Sequence, residues 1–522
     1  MKKVVLFLSI AAMGCLLVPP AWAESPSSKE LEALKQQMSE LNKIVQSQQQ
    51  QIQEQDKKLK QQDEKLQQQE QKIQQLEQPA EAPVVAREEV TYGDLQSIVD
   101  KVKAELPKPQ DGFTLGGGKI RITPYGFARL DMAYDDSATY FFSGNANAWA
   151  WPEDGKPMPF GSPVFGGTVD QNHQGGDNAF SATATATRLG MNLEGPEFAG
   201  GTIKGKVEVD FDELYANGGD VVAHRIRMRH AYGELVYPTW SLLAGQTWDV
   251  VAPRIPNMID CVVMWGSGNV GYRRPQLRLT KKWDLNGPLL TGQFSLNHTD
   301  RTLTDDINKD MILNGEDSGI PMAEGRVGLD TVIVGQRKLG LGVSAAYGKK
   351  QIDKVGNTHA DYIDVWMVAL DGSVVVIPDL FTVQGEIWTG SDIDNLYGGV
   401  IQGFAFIKDA SGRIIELEEV DATGGFLAGT LTPRKNLQFN FGYGIDNPDD
   451  EDLIFTPLPL APDGQEQAPG LRSLNWTVFA NGIWTVVPNF DIGLELAYHK
   501  TRWVDQAHGD DFRIQSAFIY KF

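Results

Sequence analysis

The chain has 522 residues, 41% of them hydrophobic, with 68 acidic side chains against 47 basic ones. A formal charge of −21 speaks against nucleic acid as a partner, because a phosphate backbone calls for a basic surface. Only two cysteines exclude a disulfide scaffold, and no stretch of about 20 apolar residues offers a membrane-spanning helix.

Lys2 and Lys3 precede an apolar run from Val4 to Val18 and then Ala21-Trp22-Ala23, which reads as a secretory signal over 1–23. Gly14-Cys15 is a poor lipid-attachment site, since apolar Leu16 to Val18 follow it. Cleavage after Ala23 removes two lysines and leaves a charge of 45 − 68 = −23, with Cys261 alone and no intramolecular disulfide.

Residues 24–78 predict a coiled-coil stalk. With Leu31 at heptad position a, Met38, Val45, Ile52, Leu59, Leu66 and Ile73 fall at every later a, while Leu34, Leu41 and Leu76 fall at d. Lys58, Lys65 and Lys72 at g precede Asp63, Glu70 and Glu77 at e by five residues, the spacing that crosses between parallel, in-register helices. The stalk therefore reads as parallel and homomeric. Glutamine at four of the d positions leaves dimer and trimer both open. Pro79 and Pro83 end the helix, and 79–118 is a linker with a candidate short helix over 92–106.

From 119 to 522 the hydrophobic period changes to two. Ile203, Val207, Val209 and Phe211 alternate with Lys204, Lys206, Glu208 and Asp210, and Leu437, Phe439, Phe441 and Tyr443 alternate with polar residues and glycines. Tight turns are expected near 196–201, 238–239, 286–288, 335–338, 378–379, 433–436 and 488–489. Seven hairpin turns plus a first and a last strand predict sixteen strands. An extra hairpin within 390–421 would make eighteen. Long connections at 135–179, 249–272, 299–321, 390–421 and 446–470 alternate with the short turns. Short turns on one rim and long loops on the other predict an all-β transmembrane barrel of about 16 antiparallel strands behind an α-helical parallel coiled coil; a soluble sandwich shares the parity but not the asymmetry. The even count places the stalk on the short-turn, periplasmic side. The last strand ends with Phe518, Tyr520 and Phe522 on one lipid-facing parity, an expected signal for the barrel-assembly machinery of the bacterial outer membrane.

Tyr125-Gly126-Phe127, Thr187-Arg188-Leu189-Gly190, Arg229-His230-Ala231-Tyr232-Gly233 and Gly245-Gln246-Thr247-Trp248, with the coiled coil before them, resemble the DcaP-like trimeric porins of Gram-negative outer membranes. The resemblance implies sixteen strands, a homotrimer, and uptake of small solutes with a leaning toward carboxylated anions.

Arg225, Arg227 and Arg229 share one strand face, and facing lipid each would cost up to about 2–4 kcal/mol at the bilayer midplane, so a lumenal ladder is expected. Asp212, Asp210 and Glu208 on the preceding strand are expected opposite Arg225, Arg227 and Arg229, which leaves selectivity ladder and neutralised cross-strand ladder as alternatives. The third long connection is apolar, with Ile255, Met258, Ile259, Val262, Val263, Met264 and Trp265. It is expected to fold inward from Asp249 past Asp260 as a constriction, with Arg254, Arg273, Arg274 and Arg278 near it. A trimer contact is the alternative use of that apolar surface. Asp305-Asp306, Asp449 to Asp452 and Asp510-Asp511 read as solvated, or as bridged to lipopolysaccharide by divalent cations.

No catalytic residue, metal site or cofactor is expected. Gly340-x-Gly342-x-x-Ala345 matches a dinucleotide fingerprint by letter but opens no helix, and the seven histidines have no ligand spacing. The reading is an outer-membrane porin for small anionic solutes. The alternative is a barrel-anchored tether, whose stalk reaches peptidoglycan or a periplasmic protein and whose lumen is plugged or very narrow.

Overall fold

The computed structural model describes residues 113–115, 120–137, 139–141, 147–153, 178–211, 225–300, 313–334, 337–352, 361–408, 414–454, 471–504 and 506–522. The signal sequence, the stalk, the candidate helix, Asp212, Asp305 and Asp306 lie outside these residues.

Sixteen antiparallel strands close into one barrel. They are β1 (Ile120–Asp135), β2 (Arg188–Phe198), β3 (Gly201–Asp210), β4 (Arg227–Val236), β5 (Trp240–Trp248), β6 (Arg273–Asp284), β7 (Leu289–Asn297) and β8 (Met322–Ile333). The second half comprises β9 (Arg337–Ile352), β10 (Asp361–Ile377), β11 (Phe381–Ser391), β12 (Asp421–Arg434), β13 (Leu437–Pro448), β14 (Arg472–Val487), β15 (Phe490–Trp503) and β16 (Gly509–Lys521). Ala179–Thr183 continues β2 outward, because both segments pair with β1.

Six of the expected tight turns fall where Pro, Gly and Asn placed them, with Ala199, Asn286, Asp379 and Asn489 at positive φ; the turn at 335–336 lies outside the described residues. The strand count is decided at 390–421, where Phe404–Lys408 pairs only with Ile414–Glu419. The hairpin of the eighteen-strand alternative exists, but it stands within the connection between β11 and β12, apart from the barrel sheet, so the count is sixteen. A second ribbon, Thr139–Phe141 with Asn147–Ala150, lies in the first long connection.

Parity sorts the barrel into two surfaces. Leu277, Leu279, Phe294, Leu341, Ile387, Leu427, Phe441, Leu494 and Ile514 are exposed on the outside, while Asp131, Ser344, Asp371, Asn440, Glu495, Arg513 and Gln515 are buried on the inside. This is the pattern of a barrel whose solvent is lipid outside and protein or water inside. The outward positions of β1–β5 include small residues, Ala128, Gly195, Gly205, Ala231, Gly233 and Ala244, whereas β6–β16 carry the larger apolar side chains.

The Asp510-Asp511 pair departs from expectation. Asp511 is fully buried and accepts hydrogen bonds from Asn147 Nδ2 at 2.7 Å and Ser137 N at 3.3 Å, so it ties the first long connection to the wall and is not solvated.

Closure occurs where β16 meets β1, in register from Phe127↔Lys521 to Asp135↔Arg513. Gly126 and Phe522 exchange two backbone hydrogen bonds of 3.0 Å. A Cβ on Gly126 would lie 2.4 Å from the Arg188 carbonyl oxygen and 2.8 Å from the Phe522 ring, so only glycine admits both neighbours. Phe518, Tyr520 and Phe522 share the outward parity. Gly126→Val is therefore expected to abolish most of the heat-modifiable, SDS-resistant barrel, since overpacking alone costs about 1–3 kcal/mol where the surroundings can relax and here one neighbour is backbone. An unchanged folded fraction on unheated gels would show that closure does not depend on this approach.

Candidate functional site

The wall from β1 to β6 carries most of the interior cations. Asp210 pairs with Arg227 in register, as the alternation predicts, but a bulge shifts the next positions so that Val209 opposes Met228 and Glu208 opposes His230. Arg229 thus has no residue directly opposite it, which corrects the expected register, although the expected ion pair with Glu208 still forms. The extra residue turns both Arg229 and His230 inward, where each is buried. From this position Arg229 reaches two carboxylates, Glu208 at 2.8 Å and Asp210 at 2.7 Å. Arg225 precedes the strand and is exposed, so the expected ladder of three shortens to Arg227 and Arg229.

Glu208 is oversubscribed. Besides Arg229 it faces Arg188 at 3.5 Å and Lys206 at 3.4 Å, and it accepts a 2.6 Å hydrogen bond from the Tyr125 hydroxyl. With Arg227 matched to Asp210 at 2.7 Å, three cations share Glu208, a local surplus of two positive charges among the described residues. The layering is as important as the count. Side chains of Arg188, Lys206 and Arg227 are 31%, 26% and 23% exposed, against 4% for Glu208 and 2% for Asp210. The carboxylates lie behind, and the cationic heads face the interior space. Lys204 is exposed nearer the short-turn rim.

The four motifs that carry the family resemblance converge on this wall. Arg188 stacks 5.1 Å above the Phe127 ring, Gly190 leaves the space that the Tyr125 ring fills, and His230 Nδ1 lies 3.0 Å from Thr247 Oγ1 with its ring edge-on to Trp248. Gly245, at φ 131°, lets β5 approach Tyr232.

The connection between β5 and β6 folds inward as an inner belt, and its residues meet the wall strands in order. Val250 N donates to Glu324 of β8, Ala252 N to Ser344 of β9, and Arg254 Nε to Asp371 of β10. The Ile255 carbonyl accepts from Gln384 of β11, and Asn257 contacts Thr430 of β12, Asn440 of β13 and Asn481 of β14. Ile259 N and Asp260 N each donate to Glu495 of β15 at 2.8 Å, and the Ile259 carbonyl accepts from Arg129 of β1. Because the belt lies against β8–β16 and β1, the interior left beside it is bounded by β2–β7.

Of the expected constriction residues, Ile255 and Met258 are half-buried beside exposed Pro253 and Asn257, so they border that space. Asp260 does not, being fixed by Asn147 and Arg513; Asp249, buried and bound to Arg274 at 2.8 Å, and Trp265, stacked on Tyr397 at 4.7 Å, reach only the wall of a small cavity beside Ile255. Burial pushes the Asp260 carboxyl above the usual carboxylate range, against the opposing pull of Arg513. Ile259, Val262 and Met264 are also buried within the barrel, which removes the alternative that they form a trimer contact.

The remaining arginines divide. Arg274 is buried and holds Asp249, the carbonyls of His298 and Thr299, and that of Asn395 at 2.8 Å, so it fixes loop roots and does not line a passage. Arg273 is likewise buried, against Trp248 and Tyr272. Arg254 and Arg326 share one carboxylate, Asp371, at 2.9 and 2.8 Å. Arg278 binds Gln276 and the Trp248 carbonyl and borders a cavity of about 250 Å³ with Ile255 and Gln293.

Arg188, Tyr125, Arg326 and Asp371 escaped the sequence reading, as did the anchoring acids Glu324, Glu386 and Glu495. The signal for the anchors was present as carboxylates at mid-strand inward positions. Glu495→Ala is expected to release the belt, since it leaves two loop amides and the Asn481 side chain without an acceptor, each at about 1–3 kcal/mol. Liposome swelling should then show faster entry of neutral sugars; rates equal to wild type would mean the belt is held elsewhere.

No protein-family model matches this chain, and no curated protein matches it. Among solved structures it is similar to the outer membrane channel DcaP of Acinetobacter baumannii, with TM-score 0.56 and 22% identity over 79% of this chain and 99% of that one. A more distant likeness, TM-score 0.46 and 11% identity over 77% and 100% of the two chains, is to an anion-selective porin from Comamonas acidovorans. The barrel of this chain has the fold of the DcaP channel, a closed transmembrane barrel of sixteen antiparallel strands.

Proposed function

We propose that the protein is an outer-membrane porin that passes small hydrophilic solutes and favours carboxylated anions. The observation that carries this reading is the layered wall, with the Arg188, Lys206 and Arg227 heads more exposed than Glu208 and Asp210 behind them. An anion entering between that wall and the belt segment 253–258 meets guanidinium and ammonium groups first. Arginine remains charged at any physiological pH and can hold a carboxylate by two hydrogen bonds, and several weak sites in sequence favour passage over trapping. Arg254, Arg326 and Arg278 extend the same sign of charge across the interior. The small outward residues of β1–β5 would let copies pack closely, in keeping with a homotrimer whose parallel stalks hang into the periplasm.

A second reading has its own support. Described residues of the first, third and β11–β12 connections pack together: Trp149, Trp265, Tyr397 and Val400 form one buried cluster with Trp503 of β15. That filling is what a tether would tolerate and a wide pore would not.

Reversal potential in a salt gradient across a planar bilayer separates the two. Wild type should prefer anions, and Arg188→Gln with Lys206→Gln should reduce that preference roughly tenfold or more, because two exposed charges leave a low-dielectric passage. Anion preference that survives the double change would move selectivity to Arg254, Arg326 and Arg278. A barrel that is folded yet carries no current would favour the tether.

A further inference from the structure

Arg273 and Arg274 are neighbours at the start of β6, both buried, at 5% and 4% exposure. Their surroundings are opposite. Arg274 has a carboxylate and three carbonyl oxygens within hydrogen-bond reach. Arg273 has no carboxylate within ion-pair distance among the described residues, and its Nη1 is buried without a hydrogen-bond partner. What it has are two aromatic faces, with the guanidinium carbon 4.6 Å from the Trp248 ring centre and 4.7 Å from that of Tyr272.

The wall charges that press most on Arg273 are of its own sign, and the carboxylates among them, Glu208 and Asp210, are taken up by Arg227 and Arg229. Arg227 and Arg229 act on it electrostatically, and Arg188 feels it in turn. A buried charge without a counter-ion, set beside other cations, is costly. Two ring faces offset part of that cost through their quadrupoles. An apolar side chain between the same rings would cost less. A position selected for stability alone would therefore not hold arginine here.

We propose that Arg273 is a selectivity residue that permeating solutes do not touch. Its uncompensated charge, held between Trp248 and Tyr272 behind the Arg188–Arg229 wall, biases the passage toward anions through its field. Low-dielectric packing carries that field into the passage with little screening, whereas the field of an exposed lysine is damped by salt. This rests on the porin reading and adds a residue whose role is distinct from contact with solute.

The test is Arg273→Met, which keeps an apolar, flexible filling between the rings and removes the charge. Three readouts are taken on the full-length protein. Thermal unfolding should be unchanged or shifted upward, the anion-to-cation permeability ratio should fall by roughly threefold to tenfold, and neutral-sugar entry into liposomes should stay as in wild type. Arg273→Lys should retain most of the preference. A destabilised Arg273→Met barrel with wild-type selectivity would overturn the proposal and make the residue purely structural. So would a loss of selectivity accompanied by an altered sugar rate, which would indicate a change of shape. If Arg273→Met fails to assemble, the same three readouts on Arg273→Gln decide. Wild type that conducts without anion preference would sink this inference and the anionic leaning together while leaving the porin standing; a wild type with no current would sink the porin reading itself.

Discussion

Everything in this barrel follows from the absence of water in the bilayer core. Backbone N–H and C=O groups facing lipid have no partner but one another, so a sheet can cross only when it has no free edge. The last strand must therefore find the first. Here the register from Phe127↔Lys521 onward is completed by the reciprocal bonds of Gly126 and Phe522. A glycine on one side and the terminal aromatic on the other make the seam close enough to pair and greasy enough to face lipid. Closure then fixes the inside, because each residue that turns outward commits its neighbours to the lumen.

The inside is not simply a hole. Loop amides need acceptors wherever water is excluded, and the wall supplies them as carboxylates: Glu324 for Val250, Glu386 for Val270, Glu495 for Ile259 and Asp260. One strand after another thus holds the belt by its backbone, which leaves the belt's side chains free to pack or to face the passage. Where the belt meets the β11–β12 connection, Val263, Val400 and Ile401 adopt positive φ, a region that β-branched residues seldom enter. That strain is tolerated beside the stacked Trp265 and Tyr397 rings, at the centre of a small apolar core.

Much of this architecture was legible in the chain because a period of two and Pro, Gly or Asn at the turns are local signals. Strand order and the turn positions come from them, and the inward third loop from its apolar composition. The bulge at Arg229 was not legible, since Arg225-Ile226-Arg227-Met228-Arg229 alternates perfectly and only the partner strand reveals the extra residue. The buried roles of Asp249, Asp260 and Trp265 were hidden for a related reason: an apolar loop announces that it will be buried, but not which of its faces remains open. Arg188 stands within a motif, but its role as a charge depends on Tyr125 and Glu208, 63 and 20 positions away in the chain.

Under the porin reading proposed above, net charge is a poor guide to what such a protein admits. The chain carries 21 more acidic than basic side chains, yet the wall beside the passage shows cations in front of carboxylates. Several acids serve as acceptors for loop backbone, as Glu495 does, and others lie in the long connections, such as Asp449 and Asp450. Neither group faces the space beside the Arg188, Lys206 and Arg227 heads. A field in a narrow, low-dielectric passage is set by the charges nearest the path and by their order of depth, so an acidic protein can present a basic channel without contradiction. The arrangement also divides labour between neighbours. Arg274 secures the loop roots, and the Asp249 carboxylate it holds also accepts a hydrogen bond from Tyr272 N, beside the guanidinium of Arg273.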